Sequence, residues 1–168
     1  MKIKVLPILI LLTICNISLQ SCYTVNIASN KLNTYTKKPK RFYIIEVCDN
    51  TTNVFCNGLF NGLINKLQQN GVKVDGIIQN SLSLESDIDI NKKISSFNSE
   101  VVLKIVQTGT GSGKGVFEIT LIDLETKKNV WKGDFDISAN TYSSLEDSGM
   151  INDGVTAIFN KLVEDKII

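Results

Sequence analysis

Hydrophobic and polar residues alternate along the chain in blocks that predict a β-α-β-α-β-β-β-α order of elements. The helical pattern is clearest where Phe55, Leu59, Leu63 and Leu67 recur at every fourth position, because this spacing lines one face of an α-helix. Gly71 follows the run and is typical of a left-handed helix end. We therefore predict an amphipathic helix that packs its apolar face on a sheet.

Runs rich in β-branched and aromatic residues predict five strands. These runs cover residues 42–47, 72–78, 101–106, 116–124 and 130–137, and two further apolar stripes predict helices over residues 86–96 and 144–166. Gly58 and Gly62 lie one turn apart, a spacing that lets the first helix approach the sheet closely. The predicted fold is α+β, a two-layer sandwich in which a mixed five-stranded sheet carries its helices mainly on one face.

The N-terminus has the features of a secretory signal that ends in a lipid-attachment cysteine. Two lysines precede an apolar run over residues 5–14, which is shorter than the roughly 20 residues that span a bilayer as a helix. Leu19-Gln20-Ser21-Cys22 resembles the bacterial lipobox, with a small residue directly before the cysteine. We predict that residues 1–21 are removed and that Cys22 is acylated. The alternative is an ordinary secretory signal in which the cysteine is incidental.

Acyl chains on Cys22 would anchor the protein to a membrane. Tyr23 follows the cysteine where Gram-negative lipoproteins kept in the inner membrane have Asp, so this resemblance favours the outer membrane and its periplasmic face. Residues 22–41 are polar and predict a flexible linker before a single domain over residues 42–168. Its basic run, residues 37–41, either contacts anionic headgroups or is a solvated segment whose charges limit aggregation of the following apolar strand. We favour the second interpretation.

Composition is that of an ordinary globular protein, with 43% hydrophobic and 21% charged residues. Removal of residues 1–21 lowers the basic count from 18 to 16 against 17 acidic residues, which gives no reason to expect a nucleic-acid partner. Histidine is absent, which excludes Ser-His and Cys-His catalysis and histidine-ligated metals. We expect no enzymatic activity and no cofactor, although a Ser-Lys dyad stays open.

The order of elements behind a lipobox resembles a family of small envelope lipoproteins with an anticodon-binding-type α/β sandwich. This family includes the curli-secretion-channel lipoprotein, the lipoprotein activators of peptidoglycan synthases and the N-terminal domain of the Tol-system propeller protein. The resemblance covers about 120 residues and is carried by residues 42–47, by the helix before Gly71, and by residues 117–131. In the last segment a strand leads through an acidic-Thr-Lys turn to Trp131. The resemblance implies a binding or assembly role and transfers no active site.

Two cysteines outside the signal and the lipobox, Cys48 and Cys56, either form a disulfide in an oxidising compartment or are two packed thiols. Both alternatives stay open. Cys48 follows a predicted strand and Cys56 begins a predicted helix, so a bridge between them is feasible.

The other candidate sites have simpler structural explanations. The glycine-rich run over residues 109–115 lacks the Walker A spacing, and Lys114 is followed by Gly115 instead of a hydroxyl residue. The carboxylates, which are Glu46, Asp49, Glu85, Asp87 and Asp89, do not have calcium-loop spacing, and we expect the last three to interact with a helix N-terminus. Trp131 is either a ligand-stacking residue or part of the core, and we favour the core.

These features predict a membrane-anchored bacterial lipoprotein that acts as a non-enzymatic adaptor or assembly factor with an envelope protein partner. The alternative is a periplasmic carrier or sensor that binds an apolar or glycan ligand between the sheet and its helices. A cavity bounded by Phe55, Phe60 and Trp131 would favour the carrier. A filled core with a patch of exposed apolar residues would favour the adaptor.

Overall fold

The computed structural model describes residues 23–111, 113–139 and 144–168, and these residues form six strands and three α-helices. In chain order the elements are β1 (Tyr23–Lys31), β2 (Arg41–Val47), α1 (Asn53–Gln69), β3 (Lys73–Gln79), α2 (Asp87–Ser96), β4 (Val101–Gly111), β5 (Lys114–Asp123), β6 (Lys128–Ala139) and α3 (Ser148–Glu164). One turn of 3₁₀ helix, Asn50–Thr52, leads into α1.

The strands form one mixed sheet in the order β1-β6-β5-β4-β2-β3. The inner strand β2 is parallel to both β3 and β4, and the remaining pairs are antiparallel. The α+β class is therefore confirmed. The predicted number of strands was one too low.

The missing strand lies in the segment that we predicted as a flexible linker. All nine residues of β1 pair with β6, from Tyr23 opposite Ala139 to Lys31 opposite Trp131. Half-buried and exposed residues alternate along β1, and Val25 and Ile27 pack against the core. The asparagine and serine content of this segment obscured its period-two pattern, which is the pattern of an edge strand with one covered face.

The helices cover both faces of the sheet, with two of the three on one face. The main core lies under α1 and α3, while Ile90 and Ile94 of α2 pack against Tyr43 and Val102 on the opposite face. The prediction of helices mainly on one face is therefore correct. Among the described residues, no helix has the length and apolar character needed to cross a membrane.

The two glycines of α1 serve a different contact from the predicted one. A Cβ atom on Gly58 would lie 2.7 Å from a methyl group of Ile151, and one on Gly62 would lie 2.5 Å from a methyl group of Val155. Both partners belong to α3. The glycines thus allow α1 to approach a helix, and the expectation that they approach the sheet was wrong.

Candidate functional site

The termini of several elements lie together at one end of the sheet, which we call the proximal end. The last residue of β2 is level with Ala28 of β1, through the pairs Val47–Val106, Val106–Glu118, Glu118–Asp134 and Asp134–Ala28. The first described residue, Tyr23, therefore lies toward the same end as the last residues of β2 and β3, and β1 extends five residues beyond them. The opposite end, where Arg41 begins β2, is the distal end. Cys22 and the predicted signal peptide, residues 1–21, lie outside the described residues.

Three large apolar side chains are exposed near the proximal end, in the loop after β3 and the first turn of α2. Their exposed fractions are 76% for Leu82, 99% for Leu84 and 68% for Ile88. We call these three residues the apolar patch. The three residues lie within seven consecutive positions of the chain, and exposed apolar side chains that adjoin one another are typical of a contact surface, whereas single ones are ordinary.

The loop that carries the apolar patch is held by hydrogen bonds. The Asn80 side chain accepts a hydrogen bond from the backbone N–H of Leu82 at 2.9 Å, and the Ser83 hydroxyl accepts one from the backbone N–H of Asn80 at 2.9 Å. The Asn50 amide donates to the Ser81 hydroxyl at 2.9 Å. These bonds link the loop to the 3₁₀ turn and keep the leucines outside the core.

Where β2 ends, Cys48 and Cys56 are joined by a disulfide, with their Cα atoms 6.5 Å apart. Cys48 directly follows β2, and Cys56 lies in the first turn of α1. The bridge therefore fixes the start of α1 to the proximal end of β2.

A buried carboxyl group accompanies the disulfide. Glu46 has 0% exposure, and one oxygen, Oε1, lies 3.5 Å from Cys48 Sγ. The second oxygen, Oε2, has no hydrogen-bond partner. Burial raises the pKa of Glu46 well above its ordinary value, which favours the neutral acid.

The side chains of Thr52 and Gln107 complete this group. We use the name buried polar cluster for its five residues, which are Glu46, Cys48, Thr52, Cys56 and Gln107. Oγ1 of Thr52 lies 2.7 Å from Oε1 of Gln107 and 3.7 Å from Sγ of Cys56. Oε1 of Gln107 also accepts a hydrogen bond from the backbone N–H of Asp49 at 2.9 Å. Nε2 of Gln107 is buried without a partner. An interior cluster with two unsatisfied polar atoms is unusual and calls for a chemical explanation.

The glycine-rich run and the other carboxylates have structural roles in the described part of the chain. Residues 109–111 and 113–115 belong to the β4–β5 hairpin, which leads from one strand directly to the next; Ser112 lies outside the described residues. Asp49 caps the 3₁₀ turn, Asp89 bonds to the Ser86 hydroxyl at the start of α2, and Glu85 pairs with Lys93. No calcium-type arrangement of these acids is formed.

Trp131 and Phe55, two of the residues expected to bound a ligand cavity, are core residues. Phe55 is fully buried, with its ring centroid 5.6 Å from that of Phe117. The indole of Trp131 is also buried, and its N–H donates to the Asp165 carboxylate at 2.6 Å. Phe60 packs at the edge of the same core.

The distal end has an open cleft of about 440 Å³ that is lined in part by Lys37 and Pro39 of the predicted basic run. Lys37 forms ion pairs there with Asp123 at 3.0 Å and with Glu125. Burial and the nearby Asp123 charge raise the pKa of Tyr35 to about 12. The run is thus partly neutralised by carboxylates of its own chain, at the end of the sheet away from Tyr23. This favours the solvated segment over a contact with lipid headgroups.

The fold is similar to that of PelC from Paraburkholderia phytofirmans, a dodecamer in its crystals. The L103M variant of PelC superposes with a TM-score of 0.57 at 15% identity over 83% of this chain and 98% of PelC. A second PelC crystal form superposes with a TM-score of 0.55 at 16% identity, over 83% of this chain and 97% of PelC. A Xanthomonas campestris protein of family DUF330 superposes with a TM-score of 0.43 at 6% identity, over 84% of this chain and 91% of that protein. No family model and no curated protein sequence matches the chain.

Proposed function

We propose that the protein is a membrane-anchored bacterial lipoprotein that acts as a non-enzymatic adaptor or assembly factor on the periplasmic face of the outer membrane. The observation that carries this proposal is the apolar patch, which lies toward the same end of the sheet as Tyr23, the residue after Cys22 in the sequence. The occupant of the patch is the apolar surface of an envelope protein at the same membrane.

The structure around β1 supports an oriented domain. Tyr23 is paired with Ala139, and its hydroxyl donates to the Asp153 carboxylate at 2.8 Å, so the strand begins directly after Cys22. Acyl chains on Cys22 therefore hold the proximal end at the membrane without a flexible spacer. The apolar patch follows β3 at the other edge of the sheet, five strand spacings or about 24 Å away across the sheet, and β1 begins five residues, or about 17 Å, beyond the level at which β3 ends. Anchor and patch then lie toward the same end of the sheet.

The filled core supports an adaptor over a carrier. Phe55 and Trp131 occupy the space in which the carrier would hold its ligand. The likeness to PelC adds support, because in that protein the same fold builds a dodecamer. The lack of histidine supports a non-enzymatic role.

Substitution of Cys22 by serine tests the anchor on which this proposal depends. Because serine has no thiol to form the thioether, we expect Cys22→Ser to abolish incorporation of an alkyne palmitate analogue and to release the protein from the membrane fraction. In-gel fluorescence and fractionation measure the two effects. Cys48→Ser is the matched control and should be labelled like the natural chain. Persistent labelling of Cys22→Ser would contradict the proposal.

A further inference from the structure

We propose that the buried polar cluster is a redox-gated metal site. When the Cys48–Cys56 disulfide is reduced, Glu46, Cys48 and Cys56 bind one thiophilic divalent cation of the zinc class. This inference does not depend on the lipid anchor or on the apolar patch.

The ligand atoms already have the spacing that such a cation requires. One ligand atom from each of Glu46, Cys48 and Cys56 lies within 4.8 Å of the other two. With Zn–S of about 2.3 Å and Zn–O of about 2.0 Å, the sulfur–oxygen edge of a tetrahedral site is about 3.5 Å. The distance between Oε1 of Glu46 and Sγ of Cys48 is 3.5 Å. Little rearrangement of this pair is needed to hold the ion.

Unused hydrogen-bonding capacity points to a ligand at the same place. Oε2 of Glu46 is fully buried and has no partner, although the side chain is turned toward the sulfurs instead of solvent. Oγ1 of Thr52 lies 3.7 Å from Sγ of Cys56 and can hold a water in the fourth coordination position. If the disulfide had only a structural role, an apolar side chain at position 46 would cost less free energy to bury than Glu46 does.

Reduction opens the site. A phosphine donates two electrons to the disulfide and becomes the phosphine oxide, taking its oxygen from water, and the two protons of that water go to the two thiols. The cation then replaces the protons of both thiols and of the Glu46 carboxyl group. Two thiolates and one carboxylate favour zinc or cadmium over magnesium or calcium. In the oxidised chain the sulfurs are bonded to each other, so the site is closed.

Zinc binding by the full-length chain, purified from membranes in detergent, tests this inference. After reduction with tris(2-carboxyethyl)phosphine and its removal, equilibrium dialysis should find one Zn²⁺ per chain in excess of that bound by the Cys48→Ser/Cys56→Ser variant. The oxidised chain should show no excess. Glu46→Gln should weaken binding by more than about 100-fold, beyond the range for loss of an outer-shell contact. Glu118→Gln, a half-exposed carboxylate on β5, is the matched control and should bind normally.

Near-ultraviolet circular dichroism makes the result independent of how well the reduced chain folds. A reduced chain that regains a lost tertiary signal when Zn²⁺ is added supports the site. A reduced chain that keeps its tertiary signal without Zn²⁺ is folded, and the dialysis measurement then decides. A reduced chain that stays unfolded with Zn²⁺ overturns it. The proposal is also overturned if the reduced natural chain binds no more zinc than the double-serine variant, or if Glu46→Gln binds with undiminished affinity.

Discussion

Substitution of Gly76 by alanine is expected to lower the free energy of unfolding by about 3 kcal/mol, or about 10 °C in Tm, at the upper end of overpacking costs. A Cβ atom at this position of β3 would lie 2.3 Å from the backbone oxygen of Ile44 and 3.0 Å from the ring of Phe60. The backbone of the inner strand β2 cannot rotate away as a side chain can. The substitution therefore separates β2 from β3, the strand that leads to the apolar patch. Urea and thermal denaturation measure the loss.

Gly111→Ala is the matched control in the same sheet, because its nearest neighbour would be Cβ of Lys114 at 3.9 Å. We expect that variant to lie within about 1 kcal/mol of the natural protein, since only a Gly-to-Ala entropy effect remains. Equal stability of the two variants would show that the β2–β3 contact is looser than described.

With the disulfide intact, Glu46 should make the protein less stable as pH rises. Burial raises the pKa of this carboxyl group in the folded chain, whereas the unfolded chain keeps a value near 4.5. Above that pH the unfolded state loses the proton while the folded state retains it. The free energy of unfolding therefore falls by up to about 1.4 kcal/mol per pH unit until the folded pKa is passed. Below pH 4.5 both states are protonated and the effect vanishes.

Urea denaturation from pH 4 to pH 8 measures this slope in the natural protein and in Glu46→Gln, whose side chain does not ionise. The difference in the free energy of unfolding between the two proteins should be constant near pH 4. As pH rises further, the glutamine variant should become increasingly stable relative to the natural protein. Glu118→Gln, on the half-exposed side of β5, should keep the slope of the natural protein. A Glu46→Gln curve parallel to that of the natural protein at every pH would mean that Glu46 ionises in the folded state.

The sequence was most informative where one face of an element is deeply buried. Phe55, Leu59, Leu63 and Leu67 are all fully buried, which is why the four-residue spacing located α1. In β1 the covered face is only half-buried and its outward residues include asparagines, so the composition of a linker hid the period of a strand. The neighbour of Gly58 and Gly62 was not predictable, because it depends on the packing of α3 in three dimensions.

Parts of the site followed from local pattern and parts did not. Glu46 has the same period-two parity as Ile44 and Cys48, so its burial beside a cysteine was available from the sequence. Its proximity to Thr52 and Gln107 depends on the start of α1 and on the register between β2 and β4, which no spacing reveals. Leu82 and Leu84 lie in an irregular serine-rich segment without periodicity, where exposure is decided by the hydrogen bonds of the loop.

Photocrosslinking in intact cells tests the central claim, that the apolar patch contacts an envelope protein at the membrane. A benzophenone amino acid replaces Leu84 in one strain and Lys128, an exposed residue at the distal end, in another. We expect irradiation to give a discrete protein adduct from position 84 and none from position 128. Leu82→Asn and Ile88→Asn should weaken that adduct, and Cys22→Ser should remove it. No adduct from position 84, an adduct with lipid alone, or equal adducts from both positions would contradict the account.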